Sequence, residues 1–113
     1  MNEIHCPVGE TIRLIGGKYK ALILWFLTEG EKRYGELQKL IPEATPKMLT
    51  QQLRELESDA LISRTVYPVV PPKVEYALTD LGQSMVPILR SMYDWGETYL
   101  KERGVCPNCR MKK

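Results

Sequence analysis

The chain lacks most of the features that announce a specialised architecture. Three cysteines in 113 residues are too few for a scaffold built on disulfides. The longest apolar run, Ala21–Leu27, falls far short of the roughly 20 residues that span a bilayer. The opening stretch, Met1 to Cys6, carries no basic n-region, so no signal peptide is expected and the protein reads as cytoplasmic. There is no internal repeat and no low-complexity segment. No nucleophile–base pair, glycine-rich phosphate loop or paired carboxylate set is visible, so neither an enzyme nor a cofactor is expected. Charge of one sign is missing as well: 16 Lys and Arg stand against 14 Asp and Glu. Three of the basic residues, Arg110, Lys112 and Lys113, lie in the last four positions. Without them 13 basic side chains face 14 acidic ones, a net of −1. Global charge therefore makes no case for nucleic acid, and any such case has to come from where the charges sit.

What is present is ordinary globular composition, 43% hydrophobic and 27% charged, in a length that suits one domain. We read residues 1–104 as that domain and 105–113 as a basic, cysteine-containing tail.

The periodicities give an ordered set of elements. Pro7 after Cys6 suits a first helical position. Val8, Ile12 and Ile15, with Leu14, recur at helical spacing until Gly16-Gly17 stops the helix, which gives a first helix over 7–15. Lys18–Thr28 is apolar nearly all round, the mark of a helix at the centre of a core. Arg33–Ile41 is a short amphipathic helix with Tyr34, Leu37 and Ile41 on one face, ended by Pro42. Thr45-Pro46 is an N-cap followed by a proline at N1. Leu49, Leu53, Leu56 and Ala60 then repeat at 4, 3 and 4, predicting a fourth helix over 46–58. Leu61–Val70 and Lys73–Leu78 read as two strands joined at Pro71-Pro72. After Thr79, the residues Leu81, Met85, Ile88, Met92, Trp95 and Tyr99 form a heptad stripe on a long fifth helix. Pro87 predicts a kink in it near Gln83–Pro87, and Gly104 its end.

The result is a mainly α fold with a small β-hairpin. The third and fourth helices are joined by Pro42-Glu43-Ala44, about the length of a helix-turn-helix connection. In that motif the second helix enters the major groove with its N-terminal residues leading. The polar side of 46–58 fits the task. Lys47 suits a phosphate, Gln51 a bidentate pair with adenine, and Arg54 guanine or phosphate, while Thr45 and Thr50 offer hydroxyls. A polar helix face alone means only solvation. The hairpin directly after it, flanked by Arg64 and Lys73, turns the pattern into a winged helix-turn-helix, with the stiff Pro-Pro tip along the DNA backbone or minor groove. Tyr34 and Tyr67 are read as core residues, with contact to phosphate as the competing reading.

These residues resemble the HxlR type of winged helix-turn-helix transcriptional regulators, relatives of the MarR type. The resemblance runs through Cys6-Pro7-Val8, Leu14-Ile15-Gly16-Gly17-Lys18, Arg33-Tyr34-Gly35-Glu36-Leu37, the stretch from Pro46 to Glu57, and the stretch from Arg64 to Thr79 with Leu81-Gly82 after it. It covers residues 6 to about 100 in unbroken order. It implies a homodimer that binds a double-stranded DNA operator of dyad symmetry, and a family in which many members sense electrophiles, quinones, disulfide stress or aldehydes. The family's N-terminal sensing thiol maps onto Cys6. The residues themselves agree, because a cysteine at the N-cap of the first helix stands at the positive end of the helix dipole, where an anion is favoured. Packing under the helix is the competing reading.

Cys106-Pro-Asn-Cys109 leaves three readings open. The tail thiols resolve oxidised Cys6 as a disulfide, or join His5 and Cys6 around a zinc ion, or have no role. The first and fifth helices are not needed for reading DNA and together are the natural dimer surface; the competing reading is that Met85, Ile88, Met92, Trp95 and Tyr99 simply cover the body of the monomer. A zinc-binding regulator and a winged helix that binds protein instead of DNA are the alternative functions.

Overall fold

The computed structural model describes residues 6–105. In chain order the elements are α1 (Pro7–Ile15), α2 (Lys20–Leu27), β1 (Lys32–Arg33), α3 (Tyr34–Leu40), α4 (Pro46–Ser58), β2 (Ile62–Tyr67), β3 (Lys73–Leu78), α5 (Asp80–Gln83) and α6 (Val86–Glu102). The fold is a winged helix: helices around one core, with a three-stranded antiparallel sheet in the order β1-β3-β2.

α2 lies at the centre, as its all-round apolarity demands. Ile23, Leu24 and Leu27 are fully buried against Leu37 and Ile41 of the α3 segment, Leu49, Leu53 and Leu56 of α4, and Leu61 and Ile62 at the start of β2. Each such side chain contributes about 1.5–3 kcal/mol by leaving water. α4 is therefore anchored by its 49/53/56 stripe, and its opposite side is left facing outward.

Four expectations need correction. The second helix begins at Lys20, not Lys18, and its N-cap is Tyr19. The hairpin loop is longer than a proline turn, because β2 ends at Tyr67 and β3 begins at Lys73. The hairpin also acquires a third strand: Lys32 pairs with Tyr76 and Arg33 with Glu75. Two residues are too short a strand to leave a periodic signal. The long fifth helix is broken rather than kinked. α5 ends at Gln83, and Pro87 opens α6 within its first two positions, where its missing N–H costs nothing. Gly82 sits at this junction. A Cβ there would lie 2.1 Å from the Leu61 carbonyl oxygen, so only glycine lets α5 close against the start of β2.

Ala60 also departs from the predicted stripe. It lies past the end of α4, exposed, with φ +66°. Its N–H donates to the Glu57 carbonyl, and the Leu61 N–H to the Leu56 carbonyl, both at 3.0 Å. This is a Schellman cap with alanine in the left-handed position that glycine normally fills. Gly104 fills the same position after α6, with φ +71°. Replacing Ala60 by glycine removes a conformational cost of about 1–2 kcal/mol and gives back part of it in unfolded-chain entropy. Ala60→Gly is expected to raise stability by a net of about 0.5–1 kcal/mol, read as a shift of the urea midpoint with an unchanged slope.

Candidate nucleic-acid interface

The turn between α3 and α4 is pinned from three sides. Gln38 Nε2 donates to the Ala44 carbonyl at 2.8 Å, the Tyr34 hydroxyl to the Pro46 carbonyl at 3.1 Å, and the Tyr19 hydroxyl to the Glu43 carbonyl at 3.3 Å. Thr45 caps α4 by accepting the Met48 N–H at 3.1 Å. Its hydroxyl oxygen thus serves the helix first, although the residue is exposed. Tyr34 is half-buried and packs on the core, as expected, but its hydroxyl reaches the first turn of α4 and fixes where that helix starts.

Lys47, Gln51 and Arg54 are exposed and Thr50 half-buried, all on the outward side of α4, where they line one shallow groove with Pro46, Glu55 and Ser58. A second depression, lined by Thr50, Arg54, Glu57, Arg64 and Tyr76, connects this face to the wing. The fold therefore brings five predicted residues, Lys47, Thr50, Gln51, Arg54 and Arg64, onto one continuous surface, with Thr45 at its N-terminal edge.

Lys73 behaves differently. Its Nζ lies 3.4 Å from Glu75 and 4.9 Å from the centre of the Tyr67 ring. Its charge is already shared within the wing. Tyr67 is not a core residue, contrary to expectation; it is exposed, because β2 turns only Ile62 inward. A hydrogen bond to the Glu75 carboxylate raises its hydroxyl above the ordinary phenol range, since ionising the phenol beside that charge is unfavourable.

Sequence reasoning missed the polar layer beneath the reading face. Gln52, on the inner side of α4, is only 6% exposed and accepts the Tyr19 N–H at 3.1 Å through Oε1. A Cβ on Gly17 would come within 2.4 Å of that same oxygen, which explains one glycine of the Gly16-Gly17 pair. Lys20 is 7% exposed, and its Nζ meets Glu55 Oε1 at 2.7 Å. Gln51 Nε2 donates to Glu55 Oε2 at 3.2 Å. The Lys20 hydrogen bond, and after it that of Gln51, hold the Glu55 carboxyl below its ordinary value. The sequence signal was present, a lysine opening an otherwise apolar helix, but its partner lies 35 residues away.

Cys6 is exposed at the N-cap of α1. α1 has no buried residue, and Val8 and Ile12 are 67% and 59% exposed. On α6 the core-facing residues are Leu89 and the half-buried Tyr93, with Met85 just before the helix. The rest of the predicted heptad stripe, Ile88, Met92, Trp95 and Tyr99, lies at the surface, and so does Leu81. His5, Cys106 and Cys109 lie outside the described residues. Among the described residues no group of acidic, histidine or cysteine side chains could hold a metal, and no helix is long and apolar enough to cross a membrane.

Comparison with known proteins accords with this surface. The uncharacterized HTH-type transcriptional regulator YdeP of Bacillus subtilis (strain 168) is 53% identical over 94 residues, covering 83% of this chain and 73% of that one. The structure of the redox regulator HypR in its oxidised form superposes with a TM-score of 0.80 at 47% identity, covering 82% of this chain and 96% of HypR. The reduced form of the transcriptional regulator YodB from B. subtilis gives 0.73 at 33% identity, covering 85% and 95%. HypR has also been solved reduced, and YodB after diamide treatment. The family model for the HxlR-like helix-turn-helix matches residues 14–104. The chain belongs to the HxlR-like helix-turn-helix family of transcriptional regulators.

Proposed function

We propose that the protein is a cytoplasmic, sequence-specific transcriptional regulator that binds an operator as a homodimer and responds to oxidants or electrophiles through Cys6. It needs no catalytic step and no cofactor. The observation that carries this reading is the distribution of uncovered surface. One side of α4 offers Lys47, Thr50, Gln51 and Arg54 to a major groove. Away from it, α1 and α6, both packed on α2, leave Val8, Ile12, Ile88, Met92, Trp95 and Tyr99 uncovered. Apolar area of this kind on a small domain fits an isologous contact between two copies. Such a dimer sets two copies of α4 about one DNA turn apart, near 34 Å.

Cys6 opens one of the two helices on that surface. Oxidation or alkylation of its exposed thiol adds bulk or a crosslink at the start of α1, and a shift of α1 changes the distance between the two reading helices. The redox character of HypR supports the same reading. In a footprint on the protein's own upstream DNA, diamide or a quinone is expected to release the wild-type protein and to leave Cys6→Ser bound. A Cys6→Ser protein released as readily as wild type would place the sensor elsewhere, with Cys106 and Cys109 the next thiols to replace. Zinc content of the purified protein tests the metal alternative, which would rest on His5, Cys6, Cys106 and Cys109.

A further inference from the structure

Lys20 is the one charged side chain among the described residues that the core encloses. A buried ammonium is stable only when paired, and its partner, Glu55, is an acid on the very side of α4 that faces outward. An acid on a DNA-reading face repels phosphate, so its placement needs a reason. The geometry supplies one. Glu55 Oε1 is held by Lys20 Nζ at 2.7 Å, and Oε2 is left to accept Gln51 Nε2 at 3.2 Å. An ionised carboxylate accepts hydrogen bonds and donates none. It therefore turns the NH2 side of the Gln51 amide toward itself and the carbonyl oxygen away.

We infer that Glu55, clamped by buried Lys20, is a positioning residue for base readout: it fixes the rotation of the Gln51 amide and thereby selects adenine at the base Gln51 meets. This rests on the reading of α4 as the DNA-contacting helix. With one N–H given to Glu55, Gln51 presents one N–H and one carbonyl oxygen outward. Adenine offers the complement in the major groove, N7 as acceptor and the N6 amino group as donor; guanine offers two acceptors, N7 and O6. The clamp also cancels the acid's charge, so the reading face keeps the positive balance given by Lys47, Arg54 and Arg64.

The sharpest test is Glu55→Gln. The new amide keeps its oxygen on the Lys20 ammonium, which can only donate, and so turns its own NH2 toward Gln51. The Gln51 amide then has to reverse, placing its carbonyl inward and two N–H groups outward, the pattern that suits guanine. Full-length wild type, Glu55→Gln, Gln51→Ala and the double variant Lys20→Met/Glu55→Gln are each used to select duplexes from a randomised pool. The base read by Gln51 is the position at which Gln51→Ala loses its preference.

Wild type is expected to favour adenine there by about tenfold or more, and Glu55→Gln to favour guanine, with preferences elsewhere in the site unchanged. The double variant removes the buried cation together with the carboxylate. It carries the test if the single variant does not fold by circular dichroism, and its preference at that position is expected to flatten to within about twofold. A Glu55→Gln or double variant that keeps wild-type adenine preference overturns the inference, and so does a Gln51→Ala protein with an unchanged motif. A wild-type protein that enriches no sequence at all overturns the DNA-reading assignment of α4 itself, a different failure from either of these.

Discussion

Trp95→Ala is expected to weaken self-association thirtyfold or more and to weaken DNA binding with it. Trp95 is 70% exposed in the isolated chain and stacks on Tyr99 with ring centres 5.4 Å apart. Tyr99 in turn lies under Arg103, 4.0 Å from ring centre to guanidinium carbon. An exposed indole, pre-ordered by a neighbouring ring and set among Ile88, Met92 and Tyr99, has the character of an interface anchor, and truncating such anchors costs about 2–4 kcal/mol. The substitution leaves the core untouched, because the residues that α6 turns inward are Leu89 and Tyr93. The variant is therefore expected to stay folded, to sediment as a monomer at concentrations where wild type is a dimer, and to bind its operator at least tenfold less tightly. A Trp95→Ala protein that remains dimeric and binds normally refutes the assignment of α6 to the dimer seam.

The second large effect concerns charge. Lys47→Ala combined with Arg54→Ala removes two of the three cations, Arg64 being the third, on the surface proposed to meet DNA. Lys73 adds little, since Glu75 and Tyr67 already engage it. The four cations lost per dimer are expected to lower affinity at least a hundredfold near about 0.1 M salt, because phosphate contacts supply much of protein–DNA affinity. Both side chains are exposed, so the melting temperature is expected to stay within about 2 °C of wild type. A double variant that binds its operator as tightly as wild type places the contact surface elsewhere.

Much of this fold was legible because it is written in local signals. Thr45-Pro46 marks the start of α4, and the 49/53/56 stripe states which side goes inward, so the opposite side follows without tertiary knowledge. The apolarity of 21–27 places α2 at the centre for the same reason. What stayed hidden depended on partners distant in sequence. β1 exists only because β3 is there to pair with it. Tyr67 is aromatic and sits in a strand, yet β2 has an inner side for Ile62 alone. Nothing in the residues around Lys20 points to Glu55, and Gln52 looks like one more polar residue of a reading helix until α2 is laid against it. The heptad stripe holds only over Ile88, Met92, Trp95 and Tyr99, which lie on the exposed side of α6. The break before α6 separates Leu81 from them, and the core takes Met85 from the stripe together with Leu89 and Tyr93 from the neighbouring positions. The candidate site was legible to the same degree: Lys47 and Arg54 were readable from the α4 pattern, and the Lys20–Glu55 pair beside Gln51 was not.

The most direct test of the central claim, that the 46–54 side of α4 reads duplex DNA from a paired molecule, is the affinity of full-length protein for its own upstream duplex as a function of salt. Six cations per dimer, Lys47, Arg54 and Arg64 from each copy, predict a logarithmic slope of about −5, falling to about −2 for Lys47→Ala/Arg54→Ala. A flat dependence, an equal slope in the variant, or no binding at about 50 mM salt contradicts it.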